Sequence, residues 1–457
     1  MNQLPTLEEA GLENGRLEQL HEAFMAAGGK LCTDSRQLKA GDCYVALKGD
    51  RFDGHDFVEQ ALAAGAVMVI TERAHEIKDG QDRIFGVHNS LAALQRLAQY
   101  HRRHMNGLKI IAVAGSNGKT TCKELIYAVL SKHYSCHLTP GNFNNHLGVA
   151  ISLLGAPSGT EWAILEIGSN HPGEIDMLCE MVEPNMGVVT SIGKEHLEGF
   201  GTMENIIREE TALYRYLLQN DGTAVAHKDS AVIMQTFDGL NVPLTYGICT
   251  EADCIGKLTG TFPYLSLQWE FSAKALMNAP VLPTKIYGDY NLPHILAAAA
   301  IGRYLSVPYE RISEAITTWQ PLNNRSEIRE FRGHWLILDA YNANPDSMRA
   351  ALSHFHRMEH PHKIILLGEM LEMGEHSEYE HRFLLETTLH FDFQEICLVG
   401  QAFWQLRAEF PQYRFFEKSA KLHQFLRSAH WPASAILFKG SRGNAMEQYA
   451  DSLSEAR

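Results

Sequence analysis

Residues 111–124, "IAVAGSNGKTTCKE", decide the fold of this chain, because they join an apolar segment to a helix through a glycine-rich turn. The apolar run before Gly115 is typical of a parallel strand that is covered on both faces. Residues 118–120, "GKT", match the second half of the phosphate-loop pattern G-x-x-x-x-G-K-[ST]. The first glycine of that pattern is absent, since Val113 occupies its position. The segment is therefore either a shortened phosphate loop or an ordinary strand-to-helix turn.

The context of the turn favours a phosphate loop. Such a loop needs a strand end, glycines that let backbone N–H groups turn inward, and a helix N-terminus whose dipole attracts anions. Lys119 would reach the terminal phosphates of a nucleotide, and Thr120 or Thr121 would hold Mg²⁺. We therefore predict that ATP binds to Gly115, Ser116, Asn117, Gly118, Lys119, Thr120 and Thr121.

Length and composition indicate a multidomain globular protein. At about 150 residues per domain, a chain of 457 residues is expected to have three domains. Hydrophobic residues make up 45% and charged residues 21%, which are ordinary values. The net charge of −14, with no Lys/Arg-rich tract, argues against nucleic acid or an anionic membrane as a partner, because both require a basic face. We expect a monomer, although no motif bears on the oligomeric state.

The cysteines and the apolar segments predict a cytoplasmic location. The eight cysteines are scattered without a C-x-x-C pair, which favours buried reduced thiols over a zinc site. The N-terminus lacks a basic segment followed by an apolar one, so no signal peptide is expected. The longest apolar runs, such as "ALAAGAVMVI", reach about half the length that a membrane span needs. We therefore expect a soluble protein without membrane insertion.

Apolar strand-like segments alternate with helical segments, which predicts an α/β fold. Residues 1–106 are expected to form a small α/β N-terminal domain, and residues 107–318 a central phosphate-loop domain with a doubly wound sheet. Residues 319–457 are expected to form a C-terminal Rossmann-like domain, in which "HWLILDAY", "KIILLGEM", "EICLVG" and "AILFKGS" are four buried strands. Ligands bind at the carboxyl ends of the strands in such sheets.

Polar residues that follow predicted strands are the candidates for chemistry. Glu166 ends the strand in "WAILEIG", where an acid often holds the metal ion of a phosphate loop. His196 follows the strand in "NMGVVTSIG" and is a candidate ligand of a second metal ion. Taken alone, Glu166 could equally be a solvated acid at a strand end, and a lone histidine such as His196 is more often structural. The stretch "TPGNFNNHLGV" contains three asparagines that either form a turn or donate to a substrate, namely Asn142, Asn144 and Asn145.

Nine motifs stand in order along essentially the whole chain: "TDSR" (33–36), "YVALKGDRFDGHDF" (44–57), "GSNGKTT" (115–121), "GNFNNHLGV" (141–149), "EIGSNHPGEI" (166–175), "HLEGFG" (196–201), "DAYNANP" (339–345), "GEMLEMGEHS" (368–377) and "KGSR" (439–442). In this order they resemble the Mur ligase family, the ATP-dependent amide-forming enzymes of peptidoglycan precursor synthesis. The shortened loop G-x-x-G-K-T is the form found in that family. "YNANP" resembles the members that add a dipeptide.

The resemblance implies a ligation of D-alanyl-D-alanine to UDP-N-acetylmuramoyl-tripeptide. ATP would phosphorylate the terminal carboxylate of the tripeptide, and the dipeptide amine would attack the acyl phosphate and release phosphate. Positioning and charge neutralisation dominate such a reaction. Lys119 would neutralise the transferring phosphoryl group. Thr120 and Glu166 would hold one Mg²⁺, and Glu166 and His196 a second.

The resemblance also assigns binding residues. Asn291 matches the family's adenine-binding asparagine. Arg325 and Asp339 match residues of the family that contact the nucleotide from the C-terminal domain. The residues matched to the UDP-substrate are Ser35, Arg36, Lys48 and Gly49, to which we add Asn142, Asn144 and Asn145. Those associated with the acceptor dipeptide are Asn342, Asn344 and Pro345.

Two positions depart from the family pattern. His294 replaces the second asparagine of the adenine-binding motif. Glu210 occupies the place of a lysine that the family carbamylates with CO₂. We hypothesise that the Glu210 carboxylate does the work of that carbamate, acting through water or from a shifted helix. The alternatives are Glu209, if the alignment shifts by one residue, and a solvated helix acid without a role.

Two other functions remain open from the sequence. A sister ligase of the same family, of the diamino-acid-adding or folylpolyglutamate type, would use the same loop, although the "DNPR" motif of the diamino-acid-adding members is absent. An ATP-driven switch or binding module would also use this loop, but it would have no need of Arg325, Asp339 or the N-terminal motifs.

Overall fold

A computed structural model describes residues 3–49, 51–77, 81–240, 242, 244–321 and 324–455, so that Asp50 of the second motif lies outside the described residues. The chain separates into two compact units. Unit 1 comprises Met1–Ala114, His133–Val189 and Glu209–Ala224, and unit 2 comprises Gly115–Lys132, Thr190–Arg208 and Val225–Arg457. The predicted boundaries at 106 and 318 remain predictions.

The strands are β1 (Leu31–Cys32), β2 (Cys43–Val45), β3 (Met68–Thr71), β4 (Ile84–Gly86), β5 (Lys109–Ala114), β6 (Cys136–Leu138), β7 (Trp162–Glu166), β8 (Met186–Val189), β9 (Thr223–His227), β10 (Leu244–Gly247), β11 (Cys254–Gly260), β12 (Ser266–Glu270), β13 (Leu282–Pro283), β14 (Arg325–Phe331), β15 (His334–Asp339), β16 (Lys363–Gly368), β17 (Glu395–Val399), β18 (Arg414–Phe416) and β19 (Ala435–Lys439).

The α-helices are α1 (Leu7–Ala10), α2 (Arg16–Ala26), α3 (Val58–Ala63), α4 (Ser90–His104), α5 (Lys119–Leu130), α6 (Gly148–Leu154), α7 (Glu174–Val182), α8 (Leu197–Phe200), α9 (Met203–Glu210), α10 (Ala212–Gln219), α11 (Ala231–Gln235), α12 (Ala273–Leu276), α13 (Leu292–Tyr304), α14 (Tyr309–Thr318), α15 (Pro345–Arg357), α16 (Ser377–Thr388), α17 (Gln401–Gln405), α18 (Ser419–Ser428) and α19 (Glu447–Glu455). Within the described ranges, no helix combines the length and apolar character that crossing a bilayer requires.

Unit 1 contains two sets of parallel strands. The first is a four-stranded sheet in the order β1-β2-β3-β4. The second has the order β8-β5-β7-β6. Strands β5 and β7 are buried almost throughout, as the apolar runs predicted. Their register pairs Val113 with Glu166, which places Glu166 beside the strand that leads into the glycine-rich turn.

Unit 2 contains strands in the order β13-β12-β11-β10-β9, with β9 beginning at the end of unit 1. The pairs β9–β10 and β10–β11 are parallel, whereas β11–β12 and β12–β13 are antiparallel. Helix α5 packs against α13 and α14. Nearly the whole of α13 is buried. Its small residues, which include a run of four alanines, allow the neighbouring helices to approach closely.

A six-stranded sheet in unit 2 has the order β14-β15-β19-β16-β17-β18, and it is parallel except for β14. Its side chains alternate between two cores: Ile337 joins the core that includes α15 and α16, while Leu336 and Leu338 join the core that includes α18 and α19. Both faces of the sheet are therefore covered, as predicted from the four apolar strands. The antiparallel β14 and the short β18 were not predicted.

Helix α4 carries a buried histidine that makes stability depend on pH. His101 is 4% exposed, and its Nδ1 lies 3.1 Å from Nε2 of His21 on α2. Burial, reinforced by His21 and His104, lowers the pKa of His101 to about 4. The unfolded chain takes up this proton near pH 6.5 and the folded chain does so only near pH 4, so stability falls as the pH drops between these values.

We expect His101→Gln to remove part of this pH dependence. The free energy of unfolding of the wild type should fall between pH 7 and pH 5 by about 1–2 kcal/mol more than that of the variant. Chemical denaturation followed by circular dichroism at the two pH values measures the difference. The exposed His133 provides the control, His133→Gln, and equal losses in the wild type and His101→Gln would contradict the prediction.

Candidate active site

The turn between β5 and α5 admits only glycine at two positions. Gly115 has φ +116°, and a Cβ there would lie 2.4 Å from Thr190 Oγ1. Gly118 has φ +80°, and a Cβ there would lie 2.0 Å from His294 Nε2. Positive φ values are strained for residues with a side chain, and both approaches are too close for one. The turn is therefore shaped by its neighbours as well as by its own backbone.

The segment Thr190–Gly193, which follows β8, holds the turn in place within unit 2. Ser116 N donates to Ser191 O at 2.8 Å, and Asn117 N donates to Ser191 Oγ at 3.0 Å. Ser116 Oγ donates to Gly193 O at 3.1 Å and accepts from Gly193 N at 2.9 Å. These hydrogen bonds join Ser116 and Asn117, two of the residues predicted to bind ATP, to the segment Thr190–Gly193.

Lys119, the first residue of α5, folds back over the turn. Its Nζ donates to Gly115 O at 2.5 Å and lies 3.5 Å from Glu195 Oε2. Thr120 is buried and Thr121 is half-buried in the same helical turn. The lysine is thus held at the helix N-terminus, where a phosphate group would also be attracted.

Glu166 ends β7 in unit 1 and is 1% exposed. Its Oε1 accepts from Asn144 Nδ2 at 2.9 Å, and its backbone N donates to Thr139 Oγ1 at 3.0 Å. The structure therefore uses Asn144, which was predicted to contact the substrate, to orient this carboxylate. Asn145 has a local role, since its Oδ1 accepts from the N–H groups of Leu147 and Gly148 at the start of α6. Asn142 is exposed.

His196 precedes α8 in unit 2, and its φ of +42° is unusual for a residue with a side chain. Its Nδ1 lies 2.7 Å from Glu372 Oε2. A carboxylate on one ring nitrogen is the usual way to orient a histidine whose other nitrogen binds a metal ion. The described residues contain no cluster of three or more His, Cys, Asp or Glu arranged for a metal ion. Mg²⁺ often takes only one or two protein ligands besides phosphate oxygens. A histidine oriented by a carboxylate, without a larger ligand cluster, is therefore compatible with Mg²⁺ that is bound together with a nucleotide.

The region before α15 meets the phosphate loop in unit 2. Asn344 caps α15 by accepting from Ser347 N at 2.9 Å, and its Nδ2 donates to Asn117 Oδ1 at 2.9 Å. Pro345 is the first residue of the helix. The adjacent Asn342 is exposed and accepts from Ala343 N. Asn344, predicted at the acceptor site, therefore contacts the ATP loop in this structure.

Charged residues outside the sequence predictions join the same region. Lys194 N donates to Asp346 Oδ2 at 2.7 Å, and Lys194 Nζ donates to Glu380 Oε1 at 2.6 Å. Arg349 NH1 lies 3.5 Å from Glu380 Oε2. The sequence singled out none of these residues, because their spacing matches no local motif. The only signal was that Lys194 lies two residues before His196.

The C-terminal residues predicted to contact the nucleotide are adjacent. Arg325 pairs in register with Asp339 across β14 and β15, and its guanidinium stacks 3.5 Å from the centre of the Tyr341 ring. Asp339 Oδ2 accepts from Lys439 Nζ at 2.6 Å, and its Oδ1 accepts from Ser326 Oγ at 3.3 Å. Lys439 is 2% exposed, so it neutralises Asp339 in a buried ion pair.

Asn291 and His294 lie at the start of α13, and each is 6% exposed. Asn291 Nδ2 donates to Tyr287 O at 2.7 Å. Burial lowers the pKa of His294 to about 4, with a smaller effect from His227, so the imidazole is neutral at pH 7. His294, which replaces an asparagine of the family pattern, packs against Gly118 of the phosphate loop.

The predicted UDP-substrate residues of the N-terminal segment lie in unit 1. Arg36 donates to both carboxylate oxygens of Asp34 at 2.8 Å, and these bonds hold the pKa of Asp34 well below its usual range. Ser35 lies between them in the chain. Gly49 N donates to Phe52 O at 2.9 Å, and Lys48 forms an isolated bridge with Asp53. These contacts define two turns, and the substrate role of their residues remains a prediction.

Glu209 and Glu210 end α9, and both side chains are buried. Glu209 accepts from Gly173 N at 2.6 Å and Ile175 N at 2.8 Å, so it caps the N-terminus of α7. Burial raises the pKa of Glu209 against the opposing effect of these bonds. Glu210 is 1% exposed, which is inconsistent with the alternative of a solvated helix acid. Glu210 therefore remains the candidate, while Glu209 has a structural task.

Three family models match the chain: the catalytic domain of the Mur ligase family over residues 30–113, the Mur ligase middle domain over 113–302, and the Mur ligase glutamate ligase domain over 324–442. The UDP-N-acetylmuramoyl-tripeptide–D-alanyl-D-alanine ligase of Bacillus subtilis is 32% identical, with 93% of each chain covered. Its Escherichia coli counterpart is 29% identical, again with 93% of each chain covered.

Solved structures agree. MurF from Acinetobacter baumannii matches with a TM-score of 0.84 and 31% identity, covering 93% of each chain. MurF from Thermotoga maritima, solved in complex with ADP, matches with a TM-score of 0.80 and 27% identity, covering 93% of this chain and 97% of that one. The three-domain α/β class and the ligase class predicted from the sequence are thereby confirmed. With its motifs in order, its phosphate loop framed by Thr190–Gly193 and these full-length similarities, the chain belongs to the Mur ligase family.

Proposed function

We propose that the chain is the ATP-dependent ligase that joins D-alanyl-D-alanine to UDP-N-acetylmuramoyl-tripeptide. The observation that carries the proposal is the phosphate loop, whose Lys119 and Asn117 are fixed beside the segment that leads to His196. The full-length relatives named for this reaction support it. We also propose a cytoplasmic location and a monomeric enzyme, as expected from the sequence.

In the proposed reaction, the tripeptide carboxylate attacks the γ-phosphorus of ATP, and ADP leaves. The dipeptide amine then attacks the acyl carbon, loses a proton, and inorganic phosphate departs as the amide forms. Thr120 and Glu166 would hold one Mg²⁺, and Glu166 and His196 a second, and the charge of these ions would neutralise the phosphates. Lys119 would shift from Gly115 O to the phosphoryl oxygens, while the backbone of Ser116 and Asn117 stays fixed.

Binding of the remaining groups is assigned by proposal. Asn291, Arg325 and Asp339 would contact the nucleotide, and Lys439 Nζ would hold the Asp339 carboxylate in place through its hydrogen bond. Ser35, Arg36, Lys48 and Gly49 would bind the UDP end of the substrate. Asn342 would face the acceptor dipeptide. These roles rest on the match of motifs, and substitution of each residue followed by a KM measurement for each substrate tests them.

A phosphate-release assay with ATP, Mg²⁺ and UDP-N-acetylmuramoyl-tripeptide tests the function. We expect stoichiometric phosphate release only when D-alanyl-D-alanine is present. Release with single amino acids in its place would favour a sister ligase. Release without any amine would favour an ATP-driven switch.

We expect Lys119→Met to lower kcat/KM for ligation by at least about a thousandfold, because one fixed positive charge opposite the transferring phosphoryl group is worth several kcal/mol. The same phosphate-release assay measures this loss. Lys132→Met, at a half-buried lysine after α5 that pairs with Glu314, is the matched control and should retain activity. Comparable activity in both variants would remove Lys119 from the mechanism.

We expect Gly118→Ala to weaken ATP binding by at least about tenfold. The left-handed backbone costs a non-glycine residue about 1–2 kcal/mol, and the new Cβ would also displace His294 from the loop. Calorimetric titration with ATP measures the change. Gly107→Ala is the control, since Gly107 has φ +81° and no atom within 4 Å of its Cβ position. Loss of affinity in both variants to the same extent would show that contact with His294 is irrelevant.

We expect Glu210→Gln to lower kcat for ligation by about tenfold or more while leaving the KM for ATP nearly unchanged, because a carboxylate near the reacting phosphate acts mainly in the transition state. Glu210→Lys should be active only with added bicarbonate, which would restore a carbamate. The exposed Glu204 on the same helix gives the control, Glu204→Gln. Full activity of Glu210→Gln would end this hypothesis.

A further inference from the structure

Glu195 is a buried carboxylate at the phosphate loop that neither the motif matches nor the proposed reaction uses. It is 5% exposed and lies one residue before His196. Its Oε2 is 3.5 Å from Lys119 Nζ, and both side chains are largely buried. Its Oε1 is buried and has no hydrogen-bond partner among the described residues. A buried carboxylate oxygen without a partner is costly, so this one points to a group that binds there.

The ion pair puts Glu195 in competition with the nucleotide. A phosphate group bound at this loop would need Lys119, whose charge is already shared with Glu195. Lys194, one residue before Glu195, is also engaged, because its Nζ donates to Glu380 Oε1. A metal-free nucleotide would therefore bring further negative charge close to a buried carboxylate, where screening by water is weak. A nucleotide that carries a divalent cation would instead bring a positive charge to it.

We propose that Glu195 is a specificity-determining residue that makes this loop select the divalent-metal complex of the nucleoside triphosphate over the metal-free form. The ion pair with Glu195 keeps Lys119 from contacting the phosphates of a nucleotide without a metal ion. When the metal complex binds, Lys119 turns to the phosphates and the cation compensates the carboxylate. Carboxylate oxygens are ligands that Mg²⁺ accepts, directly or through water. The inference rests on the proposed ATP-dependent function and concerns how the same site chooses its ligand.

The test is an equilibrium measurement that needs no turnover. The dissociation constant of ATP is measured by calorimetry on the full chain, once in excess Mg²⁺ and once in EDTA, without the other substrates. The ratio of the two constants, EDTA over Mg²⁺, should be at least about tenfold smaller in Glu195→Gln than in the wild type. Most of the change should be tighter binding in EDTA, because the variant frees Lys119 and removes the negative charge.

Two further variants make the result specific. Glu204→Gln removes an exposed carboxylate from the neighbouring helix and should leave the ratio unchanged. Glu195→Asp keeps the charge and should keep a ratio close to that of the wild type. Thermal unfolding of each variant establishes that it is folded. If Glu195→Gln unfolds, Glu195→Ala replaces it, because that substitution also removes the carboxylate charge.

The outcomes separate the inference from the proposed function. Wild-type binding of Mg²⁺–ATP with an unchanged ratio in Glu195→Gln overturns the inference alone. A loss of the ratio in Glu195→Asp as large as in Glu195→Gln shows that the carboxylate charge is not the cause, and also overturns it. No binding of ATP by the wild type in either buffer overturns the proposed function together with the inference.

Discussion

The close packing of the two loop glycines is the constraint on which the rest of the site depends. Gly115 lies against Thr190, and Gly118 lies against the neutral imidazole of His294, at distances that leave no room for a Cβ. Because protein interiors are close-packed, these contacts hold the loop at the start of α5 against Thr190 and His294. They also bring the segment after β8, with Glu195 and His196, to the loop that carries Lys119. The same contacts of Gly115 and Gly118 therefore shape the loop and hold Glu195 beside Lys119.

Charged side chains at the loop and next to it are already paired in the structure. Lys119 faces Glu195 at the loop, and Lys194, one residue before Glu195, faces Glu380. Breaking a buried pair is costly unless the incoming group replaces the lost partner. An anion with its metal ion can do so at Lys119 and Glu195 together, whereas an anion alone satisfies only the lysine. Under the inference drawn above, the pair of Lys119 and Glu195 would discriminate between the metal complex and the metal-free nucleotide.

Much of the fold could be predicted from local patterns. The strands β5, β7, β8, β15, β16, β17 and β19 lie at the predicted apolar runs, because a strand covered on both faces must be apolar along its length. The departures occur where local pattern carries little information. The antiparallel β14 begins at Arg325, and buried and exposed side chains alternate only weakly along it. Its position therefore depends on hydrogen bonding to β15, which the local sequence does not reveal. Asn144 and Asn344 are asparagines, a residue type that is common in turns. Only the folded structure shows that Asn144 orients Glu166 and that Asn344 contacts Asn117.

The sequence by itself determined the α/β class, the glycine-rich loop, the acid at the end of β7 and the family to which the chain belongs, because each depends on residue type within a short or ordered stretch. The tertiary structure decided which charges meet. Glu195 is buried beside Lys119, and Glu209 accepts hydrogen bonds from the backbone at the N-terminus of α7. Such partnerships join residues that are distant in the chain, and their energy depends on distance and burial, which no local pattern records.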